Sequence, residues 1–243
     1  MVKYTIKSGT TEAVISSLGG TVLSFKVDGQ DVLYPWHETP EGKERGGCPV
    51  CAPWFGSAPE FGKQKHGYLR NLEATKVTTD GHNTEFSFIQ YGDSKYPWWL
   101  SYTLRHAIKE KQLLSYLYVR RLNNRALGDA PINPAFHPYF IGNGNDTPVI
   151  MGSTVYFGFS EKARVITLKN QTVSIEMPKK KILMELNGEF QKSKSNLVFW
   201  SDSPDKYFCV EPVMKDKELF NTPKGRTLGI EDSAEISMTI SVI

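Results

Sequence analysis

Near its C-terminal end the chain alternates strictly. Ile236, Met238, Ile240 and Val242 are apolar, and Ser237, Thr239 and Ser241 between them are polar. Such a stretch presents one apolar face only when extended, because successive side chains of a strand point to opposite sides. Runs of the same kind, many rich in Val, Ile, Thr, Tyr and Phe, recur at 3–6, 13–16, 21–27, 84–90, 100–108, 113–121, 154–159, 173–177, 197–200 and 207–210. These residue types suit a pleated, half-buried surface. Turn signals divide the runs, among them Leu18-Gly19-Gly20, Asp28-Gly29, Asp80-Gly81, Asn187-Gly188 and Ser203-Pro204-Asp205. Asp28-Gly29 and Asp80-Gly81 each lie between two strand-like runs, as a hairpin requires. No segment longer than about ten residues keeps a clean 3.6-residue period, and helical turns are expected only near 216–221. The pattern predicts an all-β fold, a sandwich or barrel of many short strands with few short helices. At 243 residues it predicts one domain, 1–243, with a core large enough to need no staples.

Composition excludes several function classes. The formal charge is +3 with both signs spread along the chain, which is unlike the dense basic face of a nucleic-acid binder. Three cysteines, Cys48, Cys51 and Cys209, are an odd number and argue against a disulfide framework. The opening MVKYTIKSGT has no apolar run, and no stretch approaches eighteen apolar residues, so neither a signal peptide nor a membrane span is expected. The setting expected is cytoplasmic, and the chain a monomer or homodimer.

Two segments break the strand pattern. Residues 35–65 are rich in Pro and Gly and are too long for an idle connection, yet they carry Trp36, Trp54, Phe55 and Phe61. Residues 122–138 carry Asn123, Asn124, Pro131, Pro134 and Pro138.

Chemistry-bearing residues lie in and around these segments. His66 stands next to Gly67, which lets backbone approach a ligand closely, and Arg70 follows four residues after the histidine. Alone, His66 reads equally as a junction histidine bonded to backbone. His137 lies in Phe136-His137-Pro138-Tyr139, where the prolines at 134 and 138 stiffen the chain around an imidazole able to exchange protons near neutrality. It reads equally as a histidine packed by Phe136 and Tyr139. Glu211 ends an apolar run and precedes Pro212, which is expected to stop the ladder; partial desolvation there makes a carboxylate a better base. Its plain alternative is a strand-end pairing with a surface lysine. Cys48-Pro49-Val50-Cys51 has half the spacing of a zinc site, but Cys209 is the only other cysteine and no βαβ pattern surrounds it, so packing is the expected role. His37, His82 and His106 receive no function.

Taken in order, these segments resemble the aldose 1-epimerase (galactose mutarotase-like) family. Arg45-Gly46-Gly47-Cys48-Pro49-Val50-Cys51-Ala52-Pro53-Trp54-Phe55-Gly56 resembles its glycine–proline sugar-site loop, and His66-Gly67-Tyr68-Leu69-Arg70 its HGxxR motif. Ala135-Phe136-His137-Pro138-Tyr139-Phe140 resembles its HPYF motif. Asn196-Leu197-Val198-Phe199-Trp200 followed by Cys209-Val210-Glu211-Pro212 resembles its closing pattern. The resemblance implies a large twisted β-sandwich (the galactose mutarotase-like supersandwich) with a sugar cleft across one sheet. It implies His137 as general acid, Glu211 as general base, and His66 and Arg70 as sugar-binding residues, with no metal or cofactor.

The reaction implied interconverts the α and β anomers of a hexose. The anomeric hydroxyl loses a proton, the ring oxygen gains one, the C1–O5 bond breaks, and the aldehyde recloses on its other face. Aromatic faces such as Trp54 and Tyr68 are expected to stack on the sugar. The Arg-Gly-Gly opening and the wide spacing from Arg45 to His66 resemble a family branch acting on hexose 6-phosphates. There Arg45 and Arg70 would hold the phosphate and Lys65 would add charge. The partner is thus a small sugar or sugar phosphate. One departure touches substrate identity. The family's Asp between the second His and the Glu has no counterpart between Phe140 and Trp200, since Asp146 follows His137 too soon and Asp202 lies past Trp200. The rival of another class is a non-catalytic carbohydrate-binding protein on the same scaffold.

Overall fold

A computed structural model of the chain describes residues 1–62, 64–123, 128–192, 195–215 and 226–243. The helical turns expected at 216–221 lie outside them. Strands dominate, arranged in antiparallel sheets. The largest runs in the order Thr154–Tyr156, Val149–Met151, Thr172–Met177, Lys180–Gly188, Ser233–Val242, Gln112–Arg121, Leu100–Lys109, Asn83–Gln90 and Lys76–Thr79. A second runs Arg164–Thr167, Asn196–Trp200, Tyr207–Val213, Ala135–Phe136 and Val50–Cys51, with Tyr139–Ile141 also paired to Tyr207–Val213. A third holds Lys3–Ser8, Thr11–Ser16, Val22–Val27 and Gln30–Asp31. No helix among the described residues is long and apolar enough to cross a membrane.

The alternation read at the C-terminal end is what buries the strand Ser233–Val242. Ile236, Met238 and Ile240 are inside, while Ser237 and Thr239 are half-buried on the other face. Leu100–Lys109 and Gln112–Arg121 alternate in the same way. Their inward residues, such as Tyr102, Leu104, Leu117 and Val119, share one apolar cluster with Val50, Phe136, Phe140, Phe208 and Val210 of the second sheet. The core is therefore packed between two sheets, as in a sandwich. Asp28-Gly29 forms the two-residue turn pairing Val27 with Gln30, both turn residues at positive φ (52° and 74°), which only turn-adapted residues accept readily. Asp80 closes its own turn by accepting from the backbone N–H groups of His82 and Asn83.

Pro212 does not stop the ladder as expected. The strand Tyr207–Val213 runs through it, with Leu197 opposite Pro212. Proline removes one donor but its fixed φ is compatible with extended chain. Pro178 and Lys179 form the turn that joins the strand Thr172–Met177 to the nine-residue strand Lys180–Gly188.

Candidate active site

The strand Tyr207–Val213 is buried along its whole length, and period two divides its side chains. Phe208 and Val210 enter the core between the sheets. Tyr207, Cys209, Glu211 and Val213 belong to the other face, where Cys209 packs with Tyr139 and Tyr207, and Val213 with Ala135 and Val198. The neighbouring chain fixes what faces Glu211. Ala135 pairs with Val213 and Tyr139 pairs with Cys209, so one register places His137 directly across from Glu211. Its backbone N–H donates to the Pro49 carbonyl at 3.0 Å. Two residues seventy-four positions apart thereby meet: His137 Nε2 lies 3.5 Å from Glu211 Oε1.

Both groups are buried, at 7% and 1% exposure. His137 Nδ1 and Glu211 Oε1 have no hydrogen-bond partner among the described residues. Burial pushes the imidazole well below its ordinary range, helped by the nearby charge of Arg70, and pushes the carboxyl well above its own. Both shifts favour the uncharged forms, and at this distance the two groups titrate as a coupled pair.

The pair forms part of the floor of a cleft of about 670 Å³, a volume typical of ligand sites. Val198, Trp200 and Val213 line the same floor with Asn196, and Phe55, Gly56, His66 and Arg70 line a wall. Lys43, Glu44, Arg45, Lys65 and Lys215 also line it. Gly67 makes the wall possible. It sits at φ 71°, and a Cβ there would lie 2.2 Å from the Ala52 carbonyl oxygen. His66 is itself at φ 64°. Its Nδ1 accepts from the Gly56 N–H at 3.2 Å, so the neutral ring carries its proton on Nε2. Burial and the charges of Arg70 and Lys65 lower its pKa to about 4, which keeps it neutral.

The two arginines are held differently. Arg45 Nε and Nη2 both donate to Asp202 Oδ2, at 2.9 and 2.6 Å, and its guanidinium lies 5.4 Å from the centre of the Trp200 ring. Tyr207 donates its hydroxyl to the other oxygen of Asp202. Burial raises the Asp202 carboxyl, but the Arg45 and Tyr207 hydrogen bonds outweigh it and hold the group below the usual carboxylate range. Arg70, in the short 3₁₀ turn Leu69–Asn71, donates through Nη2 to Glu44 Oε2 at 2.6 Å.

Of the residues singled out from sequence, His66, Arg70, Arg45, Lys65, His137 and Glu211 line this one cleft. Trp54 and Tyr68 do not. Trp54 has no exposed surface and packs edge-on to Tyr68 and tilted against Phe61 and Tyr96, so it has no face to offer a sugar. Tyr68 turns its hydroxyl to Asp93 at 2.8 Å. The aromatics that do line the cleft are Phe55, Tyr139 and Trp200. Sequence reasoning also passed over Asn196 and Glu44. Asn196 stands in the stretch that resembles the family's closing pattern but carries no role there, and Glu44 lies in the Pro- and Gly-rich segment 35–65, which shows no period.

His137, Cys209 and Glu211 bring three potential metal-ligand atoms within 4.8 Å of one another, but burial favours the uncharged form of each. Cys48 and Cys51 join no such group among the described residues. All three cysteines are buried, and desolvation raises their thiols, that of Cys48 to about 12, which suits packing rather than redox exchange.

Comparison with known proteins adds a family. A model of the family "Aldose 1-epimerase" matches residues 2–231. A curated Escherichia coli (strain K12) protein named "Putative glucose-6-phosphate 1-epimerase" is 37% identical over 94 residues, covering 35% of this chain and 32% of that one. The match thus spans about a third of that relative's length. A galactose mutarotase-like protein from Lactobacillus casei superposes with a TM-score of 0.77 at 14% identity, covering 100% of both chains. A protein from Synechocystis sp. PCC 6803 superposes at 0.78 and 17% identity, covering 99% of this chain and 95% of that one. At these identities the likeness is one of fold.

Proposed function

Because the chain belongs to the aldose 1-epimerase family, we propose that it interconverts the α and β anomers of a hexose by acid–base ring opening, with Glu211 as base and His137 as acid. One observation carries the reading: an imidazole and a carboxyl face each other across 3.5 Å on the floor of a ligand-sized cleft. Mutarotation removes one proton from the anomeric hydroxyl and adds one to the ring oxygen. A pair holding a single proton does both. Moving that proton from Glu211 to His137 yields the reactive carboxylate and imidazolium without exchange with solvent. Glu211 then takes the proton of O1 while His137 protonates O5, C1–O5 breaks, and rotation about C1–C2 precedes reclosure by the reverse transfers. The pair ends with the one proton it began with. Each well-placed transfer contributes roughly 10²- to 10⁴-fold in rate. Asn196, whose buried Nδ2 lacks a partner among the described residues, supplies a donor to a sugar oxygen. The neutral His66 supplies another from Nε2.

The substrate class follows from charge. Arg45, Arg70 and Lys65 surround the cleft together with Lys43 and Lys215, a set suited to a sugar bearing a phosphate. The name of the Escherichia coli relative points the same way. Hexose 6-phosphates are therefore the second, finer reading. Exchange NMR across a panel of hexoses and hexose 6-phosphates tests both. Faster anomer exchange on any member supports mutarotation, and a preference for the phosphates supports the finer reading. Sugar affinity without any acceleration would mean a carbohydrate-binding protein instead.

A further inference from the structure

Glu44 occupies a position that an anionic ligand would want. Its Oε2 is 2.6 Å from Nη2 of Arg70, and both residues line the main cleft. Both also line an adjoining hollow of about 430 Å³ that Lys65 shares. The ion pair therefore stands at the seam between two spaces, with room beside it for the carboxylate to move. It is also wet: the Glu44 side chain is 43% exposed and that of Arg70 21%. Its backbone belongs to a small hairpin, Glu44–Arg45 against His37–Glu38, outside the larger sheets. Arg45 is held by more contacts. Two of its nitrogens share an Asp202 oxygen, Asp202 is held in turn by Tyr207, and the guanidinium rests by Trp200. Of the two arginines, one is locked and the other is held by a single exposed carboxylate.

We propose that Glu44 is a competing anion within the site: its carboxylate covers the anion seat formed by Arg70 and Lys65 and yields it to the phosphate of a hexose 6-phosphate. The inference rests on the substrate reading above. An exposed ion pair is weak, because water screens it and ordering two long side chains opposes it. A phosphate carries more charge than a carboxylate and more acceptor oxygens, so it competes successfully for an arginine fork. A neutral hexose has no group that can displace Glu44, and the seat stays covered. Glu44 thus lowers the affinity for a phosphate, which must displace it, while a neutral hexose leaves the pair intact.

The test uses Glu44→Gln and Glu44→Ala, both at an exposed position, with folding checked by thermal melting. Each variant lowers KM for the hexose 6-phosphate and the inhibition constant of inorganic phosphate by about two- to five-fold, the range an exposed ion pair supports. Calorimetric titration with inorganic phosphate shows the same tightening independently of turnover. A wild type that prefers hexose 6-phosphates, with variants whose KM and phosphate affinity stay fixed or weaken, overturns the inference alone, since Glu44 would then merely orient Arg70. A wild type that neither prefers the phosphates nor binds inorganic phosphate overturns the substrate reading and this inference together.

Discussion

Asn196 shows what residue-level reasoning gains from coordinates. It is 3% exposed, lines the cleft, and keeps its amide nitrogen without a partner among the described residues, although a buried polar group left unpaired is costly. The sequence was searched for an aspartate between Phe140 and Trp200, and the asparagine in that interval escaped because its residue type was wrong. Asn196→Ala is expected to raise KM for the preferred sugar by about two- to twelve-fold, the worth of one hydrogen bond. The effect should vanish for the one deoxyhexose that lacks the contacted hydroxyl. An equal loss on every deoxyhexose would make the asparagine merely structural. His137 and Glu211 stand out in the sequence beside prolines, but Glu211 lies within the strand Tyr207–Val213 rather than at its end, and only the family resemblance pairs the two. Trp54 was misread because an aromatic residue in a loop gives no sign of which way its ring turns, and here it turns into the core.

The strand Tyr207–Val213 and its neighbours carry the argument at the level of elements. It is legible in the sequence as an apolar run, and a period of two elsewhere reveals most of the long strands. Its partners are not legible. The register that sets His137 against Glu211 joins segments that are distant in the chain, and short strands such as Ala135–Phe136 and Tyr139–Ile141 are too brief to show a period. The loop segments around Gly56 and Gly67 were recognisable by composition, but the close approach of Gly67 to Ala52 was not. Gly67→Ala forces a Cβ into positive φ and against a backbone oxygen, a strain that costs more than about 1 kcal/mol. The variant should melt several degrees lower. Because His66 and Arg70 hang on this turn, KM should rise as well. An unchanged melting temperature and KM would show that the turn has slack that the geometry denies.

For the whole molecule, buried histidines make stability depend on acid. His66 and His106 have pKa values lowered to about 4 by burial, with Arg70 and Lys65 contributing at His66, and burial drives His137 well below its ordinary value. His106 uses both nitrogens internally, with Ser115 Oγ at 2.9 Å and the Gly20 carbonyl at 2.8 Å. In the unfolded chain all three take up protons near pH 6.5, about 2.5 units above the value in the fold for His66 and His106. Between these limits the unfolded state binds more protons, so stability rises with pH and is lost as pH falls, by roughly 1.4 kcal/mol per pH unit for each histidine fully in this window. Glu211 acts oppositely. Its raised pKa lets the fold keep a proton that the unfolded chain releases above the ordinary glutamate value of about 4.5, which offsets one histidine where the windows overlap. Urea midpoints should therefore drop from pH 7 to pH 5, and a flat profile would contradict the burial of these rings. The central claim remains that one proton shared by His137 and Glu211 opens a hexose ring. Exchange NMR on Glu211→Gln and His137→Ala, each confirmed folded by its melting curve, measures this most directly. The account predicts that anomer exchange slows at least about tenfold in both, and exchange at the wild-type rate in both would contradict it.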